Sequence, residues 1–304
     1  MSRKTSPLPV PLLMFIGIVA VSFSSIFIKW SAAPASIQGM YRLLFTSILM
    51  LPFARPYTGA LAALRKKDWI LLIASGAMLA LHFLLWMGSL KFTSVASSTM
   101  IMALEPVFIM LTSFFLFKER TAFSALMGMG IAIAGVVFIG WGDVGISANN
   151  LKGDLLSIGG TAAVAVHLLI GQKVVVRMPS YLYSLIVFIA ASAVFAVYNL
   201  VMSVPFFDYP PREWGIFMLL SVVPTVFGHI LFNWLLQYVS ATTVSMNILG
   251  EPVGASILAY LLLGEQLKGP QWAGSLLVMC GLGVYLYAGR KKNKDIIPVL
   301  DNAS

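Results

Sequence analysis

The sequence predicts an all-α membrane protein: ten transmembrane helices in two inverted five-helix repeats, with both termini in the cytoplasm. Three observations predict it. Of 304 residues, 59% are hydrophobic and only 10% charged, whereas a soluble domain carries charge on roughly a quarter of its residues. The apolar residues fall into ten stretches, each near the ~20 residues that cover a hydrocarbon core. The second half of the chain also repeats landmarks of the first at a fixed displacement.

The ten stretches lie at about 10–30, 36–54, 69–90, 94–117, 122–141, 154–174, 181–203, 213–237, 240–263 and 270–289. The first follows Arg3 and Lys4 and superficially resembles a secretory signal. No small-residue cleavage site follows Ser25, and the run continues to Trp30, long enough to span. All ten are too long and too continuously apolar for barrel strands, which alternate. Helices are the other backbone arrangement that satisfies itself in lipid. Trp69, Trp141, Trp214 and Trp272 stand at expected span ends, where an amphipathic indole belongs.

Lys and Arg set the orientation. With the N-terminus inside, 14 of the 20 fall on cytoplasmic segments, among them Arg55, Arg65, Lys66, Lys67, Lys173 and Arg177. Lys91, Lys152, Arg212 and Lys268 fall outside, and Lys29 and Arg42 within spans. Basic residues gather on the cytoplasmic side of membrane proteins, so both termini are expected there, in the inner membrane of the cell. The net charge of +9 does not point to nucleic acid, because no basic stretch is interleaved with aromatic residues. Cys280 is the single cysteine and excludes an internal disulfide; three scattered histidines lack metal-ligand spacing. Neither metal nor cofactor is expected.

Displacing the sequence by 146 residues superposes Glu105-Pro106-Val107 on Glu251-Pro252-Val253, Glu119 on Glu265, Gly128 on Gly274 and Gly135 on Gly281. The boundaries are expected at residues 10–141 and 153–289, followed by a basic tail at 290–304. An odd number of helices per half makes the second enter the membrane in the opposite sense, an arrangement suited to alternating access.

Several side chains are costly where they stand. Glu105 and Glu251 fall near mid-span, where an ionised carboxylate costs about 2.5–3.5 kcal/mol on insertion scales. Pro106 and Pro252 each remove a backbone donor, so a kink beside a carboxyl is expected. The motif reads equally as a proton-coupling or gating element and as a packing device. His82 shares a helix face with Trp86, and His229 shares one with Asn233 and Gln237, polar stripes expected to line a cavity or to bond between helices. His167 has the same reading more weakly. Arg42, near Tyr41, could hold a substrate carboxylate, snorkel, or neutralise an acid. Ser22, Ser24, Ser25, Ser97, Ser98 and Thr99 supply small polar surface, while Ser124 with Gly128, and Ala273 with Gly281, read as close-packing faces. Phosphate-loop, zinc-protease and nucleophile-turn motifs are absent, which disfavours an enzyme or an ATP-driven pump.

The duplicated Glu-Pro, the terminal glutamates in Lys118-Glu119-Arg120 and Gly264-Glu265-Gln266, Tyr41-Arg42-Leu43, Gly228-His229, Asn233 and Tyr238-Val239-Ser240-Ala241-Thr242 give the chain its resemblance. It resembles the EamA family of the drug/metabolite transporter superfamily along essentially its whole length. That resemblance implies a ten-helix inverted-repeat bundle with a central cavity lined chiefly by helices 1, 3, 4, 6, 8 and 9. It also implies export of amino acids, other small metabolites or toxic compounds, often driven by protons, and it fixes no substrate.

The sequence therefore reads as an amino-acid or similar metabolite exporter. His82, Trp86, His229, Asn233, Arg42, Gln237 and Tyr41 are the expected binding residues, and Glu105, Pro106, Glu251 and Pro252 the expected coupling or gating residues. Efflux of cationic or aromatic drugs and a non-transporting scaffold subunit are the alternatives. The expected partners are a small molecule, the bilayer, protons and, as an open question, a second copy of the chain.

Overall fold

The computed structural model describes residues 6, 8–92, 98, 101–117, 122–141, 148–264 and 269–301. Glu119, Glu265, Ser97 and Thr99, singled out above, lie outside these. Among the described residues there is no strand. Six helices among these residues are long and apolar enough to cross a membrane, or seven if one sharply bent pair counts as a span.

The first helix, α1 (Val10–Trp30), opens on Pro9 and Pro11 and ends where Ser31 turns extended. α2 (Ala35–Met50) follows after Pro34. At its far end the chain bends by 77° into the segment Arg55–Ala62, which holds the short α3 (Thr58–Ala62). Pro52 and Pro56 explain the bend, since neither can donate to the turn before it. Tyr181 anchors the bend by donating its hydroxyl to the Met50 carbonyl and stacking on Tyr57 at 5.1 Å. α4 (Lys66–Ser89) then runs back through the bundle.

α5 (Glu105–Phe117), α6 (Phe123–Trp141), α7 (Ala148–Val174) and α8 (Ser180–Val201) follow. The next span is α9 (Pro211–Leu220), a π-helical stretch Ser221–Ile230, and α10 (Leu231–Leu235). Pro224 accounts for the change of register. It has no N–H for the Leu220 carbonyl four residues back, and the Thr225 hydroxyl donates to that carbonyl instead, at 2.8 Å. The span at 241–263 is broken into α11 (Ala241–Ile248) and α12 (Glu251–Leu263), and α13 (Gly269–Asp301) is last.

The breaks at the two Glu-Pro steps differ from the kink expected there. Glu105 and Glu251 are the first residues of α5 and α12, each after a turn, so proline sits in the first helical turn and not in a continuous span. Its missing donor costs nothing there, and the preceding carboxyl stands where the helix dipole favours negative charge.

Among the described residues, buried apolar side chains form two separate clusters. The larger joins α1, α2, α4, α7, α8 and the 211–235 span. The smaller is centred on α6 and α13. There the helices approach at bare backbone: a Cβ added to Gly128 would meet Tyr285 N at 2.6 Å and Gly281 O at 2.8 Å, and one on Gly135 would meet Gly274 O at 2.6 Å. The register rises along one helix as it falls along the other, so the pair is antiparallel. Under the displacement of 146, the contact of Gly128 with Gly281 becomes that of Gly274 with Gly135.

Candidate functional site

A cavity of about 40 Å³ lies in the middle of the bundle. The breaks before α5 and α12 bring Glu105 and Glu251 to its wall, α4 supplies His82, Phe83 and Trp86, and α7 supplies His167. The 211–235 span contributes His229 and Asn233, and α1 contributes Ser24. Six residues expected at a site (His82, Trp86, His229, Asn233, Glu105 and Glu251) are thus brought together. Glu105, Glu251 and Pro252 also line a smaller void of about 10 Å³ beside it; Pro106 lines neither.

Three polar wall residues are held from behind. His82 Nδ1 lies 3.0 Å from the Gly160 carbonyl. A carbonyl only accepts, so Nδ1 carries the hydrogen, and neutral His82 keeps Nε2 as an acceptor. Its ring lies flat on Trp86, with centroids 5.9 Å apart and planes at 4°. Asn233 Nδ2 donates to Ser184 Oγ at 3.2 Å. His167 Nδ1 is 2.8 Å from Ser75 Oγ, which is also 2.7 Å from the Tyr183 hydroxyl. Two buried wall atoms stand without a hydrogen-bond partner, Glu105 Oε1 and Trp86 Nε1. A buried polar atom left unmade costs about 1–3 kcal/mol, so these are the natural first contacts for a guest.

Arg42, Tyr41 and Gln237 stand elsewhere. Arg42 is wholly buried one layer behind the wall. Its Nε donates to Thr225 Oγ1 at 2.7 Å and its Nη1 to Ser24 Oγ at 2.9 Å, with the guanidinium 4.4 Å over the Phe83 ring. Nη2 has no partner. One turn along α2, Thr46 Oγ1 is 2.8 Å from Ser221 Oγ. Arg42 and Thr46 therefore bind both ends of one turn of the π-helical stretch. Tyr41 turns away, donating to the Phe206 carbonyl at 2.8 Å and stacking on Phe217. Gln237 donates to Ser180 Oγ at 2.6 Å and ties α10 to the start of α8.

Sequence reasoning missed Ser75 and Tyr183, the partners of His167. It also missed Ser89 and Ser157, which close a ring of buried hydroxyls with Ser98 at 2.9–3.0 Å. Serine at helical spacing from His82 was the only available signal. Ser75, His82 and Ser89 lie seven residues apart on α4, along one face.

Comparison with known proteins agrees with this architecture. The profile of the EamA-like transporter family matches residues 8–141 and 151–287. The uncharacterized transporter YwfM of Bacillus subtilis is 25% identical over 263 residues, covering 86% of this chain and 87% of its own. The uncharacterized transporter YdfC of the same organism is 22% identical over 302 residues, covering 98% and 96%. A crystal structure at 18% identity superposes with a TM-score of 0.76 over 92% of this chain and 97% of the other, a likeness of fold. A family match across both halves, on a bundle of apolar helices around a cavity with buried polar side chains in its wall, means that this chain belongs to the EamA-like transporter family and is a multi-pass membrane transporter.

Proposed function

We propose that this chain is a secondary transporter that exports a small amine-bearing metabolite, an amino acid in the first instance, by alternating access coupled to protons. One observation carries the reading. Glu105 and Glu251, from equivalent positions of the two halves, line one cavity with His82, His229 and Asn233. Buried carboxyls able to gain and lose a proton, beside amides and imidazoles, suit a guest with an ammonium group. The cavity volume of about 40 Å³ holds a few waters, far below the roughly 300 Å³ of a small-ligand pocket. A guest therefore needs another conformation, in which helices on one side part.

Ten spans in two inverted halves, at 10–141 and 153–289, with both termini and the 290–304 tail in the cytoplasm, complete the proposal. The reciprocal antiparallel contacts of Gly128 with Gly281 and of Gly135 with Gly274 support it, since two-fold-related halves present equivalent residues to one another. The broken helices at the Glu-Pro steps supply joints of the kind that transporters use at their binding sites.

Efflux of cationic or aromatic drugs is a second reading, favoured by the position of Arg42. The carboxyls and the His82–Trp86 stack line the cavity, whereas the guanidinium that would receive a substrate carboxylate lies behind Ser24 and Phe83.

Flux of labelled amino acids in proteoliposomes, with and without a pH gradient, tests the first reading. Gradient-driven uptake should fall at least about tenfold in Glu105→Gln/Glu251→Gln. Undiminished flux in that variant would remove the carboxyls from the coupling step. Transport of organic cations but of no amino acid, unaffected by Arg42→Met, would favour the second reading.

A further inference from the structure

A second, wider cleft lies at one end of the bundle, away from the central cavity. It measures about 450 Å³, between α3, the start of α4 and the end of α7. Arg65, Lys173 and Arg177 line it, with Asp68 as the one carboxylate, and Leu64, Leu71 and Met178 form its apolar side. Asp68 is already engaged, accepting the Arg65 backbone N–H at 3.0 Å as the first turn of α4 closes. The cleft therefore presents three cations to one carboxylate that serves the fold, and its volume suits a small organic group.

Two further observations fix its depth. The segment Arg55–Ala62 turns 77° from the axis of α2, so it runs across the end of the bundle and not through it. Leu51, Phe53 and Leu61 along this bend are exposed, the pattern of a chain lying at a membrane surface with its apolar side chains in the acyl boundary. Trp69 is exposed in the first turn of α4, and Tyr57 stacks on Tyr181 at the same end. Amphipathic aromatic rings gather at headgroup level, and the cleft opens among them.

We propose that this cleft binds the phosphate of an anionic phospholipid headgroup. Arg177 and Arg65 offer planar donor forks suited to phosphate oxygens, and Lys173 adds a mobile ammonium. The leucine and methionine side receives the glycerol backbone and the first methylenes of an acyl chain. An occupied cleft would pin α3 to the ends of α4 and α7, the two helices that carry His82, Trp86 and His167 to the central cavity. This site does not depend on which substrate the cavity carries.

The test uses the full-length chain, purified and washed free of lipid, then titrated with phosphatidylglycerol or with phosphatidylcholine of the same chain length. Bound lipids are counted by native mass spectrometry, and apparent unfolding temperature is followed in parallel. One phosphatidylglycerol per chain should be retained in preference to phosphatidylcholine. Each basic residue near an anionic lipid contributes about 1 kcal/mol, roughly fivefold in affinity, so Lys173→Ala/Arg177→Ala should weaken retention about 25-fold. Lys66→Ala/Lys67→Ala, which removes neighbouring charges that do not line the cleft, should leave it unchanged. The single Lys173→Gln, at an exposed position, gives the same reading at about fivefold should the double variant not fold. Equal loss in the Lys66/Lys67 variant would overturn the site in favour of diffuse surface charge. Equal retention of phosphatidylcholine would overturn the anionic assignment. Stabilisation by glycerol phosphate matching that by the lipid would overturn the lipid in favour of a soluble phosphate.

Discussion

The α6–α13 pair and the bundle around the central cavity are held together by opposite means. In the pair, glycines bring backbone against backbone, and the surrounding cluster is apolar, from Ala132 and Val136 to Val278 and Leu282. In the bundle, the same depth of burial includes Glu105 and Glu251 beside Arg42, His82, His167 and Asn233, the last four joined by hydroxyl and carbonyl bonds between helices. A backbone seam has one tight arrangement. A polar network has partners to exchange, and this one keeps unpaired atoms on Glu105, Trp86 and Arg42. Rigidity is thus concentrated at the edge, and capacity for rearrangement at the centre.

That contrast can be broken or sharpened by substitution, and the largest effect is expected at the seam. Gly135→Leu places a branched side chain against the backbone of Gly274 and Val278. Overpacking costs about 1–3 kcal/mol where side chains can shift, and backbone cannot, so at least about 3 kcal/mol should be lost in denaturant unfolding in micelles. Gly130→Ala and Gly283→Ala on the same two helices are the controls, because a Cβ there has nothing within 4 Å. They should change stability by less than about 0.5 kcal/mol.

In the centre, Arg42→Ala removes the stack on Phe83 and leaves Ser24 and Thr225 without their donor. A loss of about 2–4 kcal/mol is expected, since breaking a buried charged network is costly. Arg42→Met should recover at least half of it by filling the space. If the methionine variant is no better than alanine, charge and not volume holds that region. Ser75→Ala should cost about 1–2 kcal/mol by stripping a partner from both His167 and Tyr183, and Tyr183→Phe somewhat less. At the lipid face, Leu276→Ala, on a side chain 68% exposed, should fall within about 0.5 kcal/mol of the parent. An effect above 1 kcal/mol there would mean that another protein surface covers α13.

How much of this was legible in the sequence depended on what each residue must do. Helix positions were legible because length and apolarity alone set them, as at Val10–Trp30 and Ser180–Val201. Gly128 and Gly281 were legible as packing residues because a missing side chain has few other uses in an apolar helix. Glu105, Glu251, His82 and His229 were legible as interior because lipid penalises them. The facing of Tyr41 and Gln237 was not. A helix apolar all round gives no periodicity to separate lipid from interior, and each residue found its partner in a distant segment, Phe206 and Ser180 respectively. The position of Arg42 behind the wall was hidden for the same reason, since its register depends on Thr225 across the bundle. The π-helical stretch was hidden too, although Pro224-Thr225 is its local cause. The Glu-Pro steps predict kinks in the sequence, because proline alone does not distinguish a bent helix from one that ends and restarts.

The seam has a last consequence for the genetics of this protein. A clash between side chains can be relieved by shortening the opposing residue, and revertant screens usually find such second-site partners. At Gly135 the two nearest opposing atoms are the carbonyl oxygen of Gly274 and the amide nitrogen of Val278, both backbone atoms that every residue carries, and the third is Leu277 Cβ at 2.9 Å. A lesion at Gly135 should therefore yield true revertants, or suppressors that raise stability elsewhere, and across the seam at most a change of Leu277 to glycine, which leaves the two closest contacts in place.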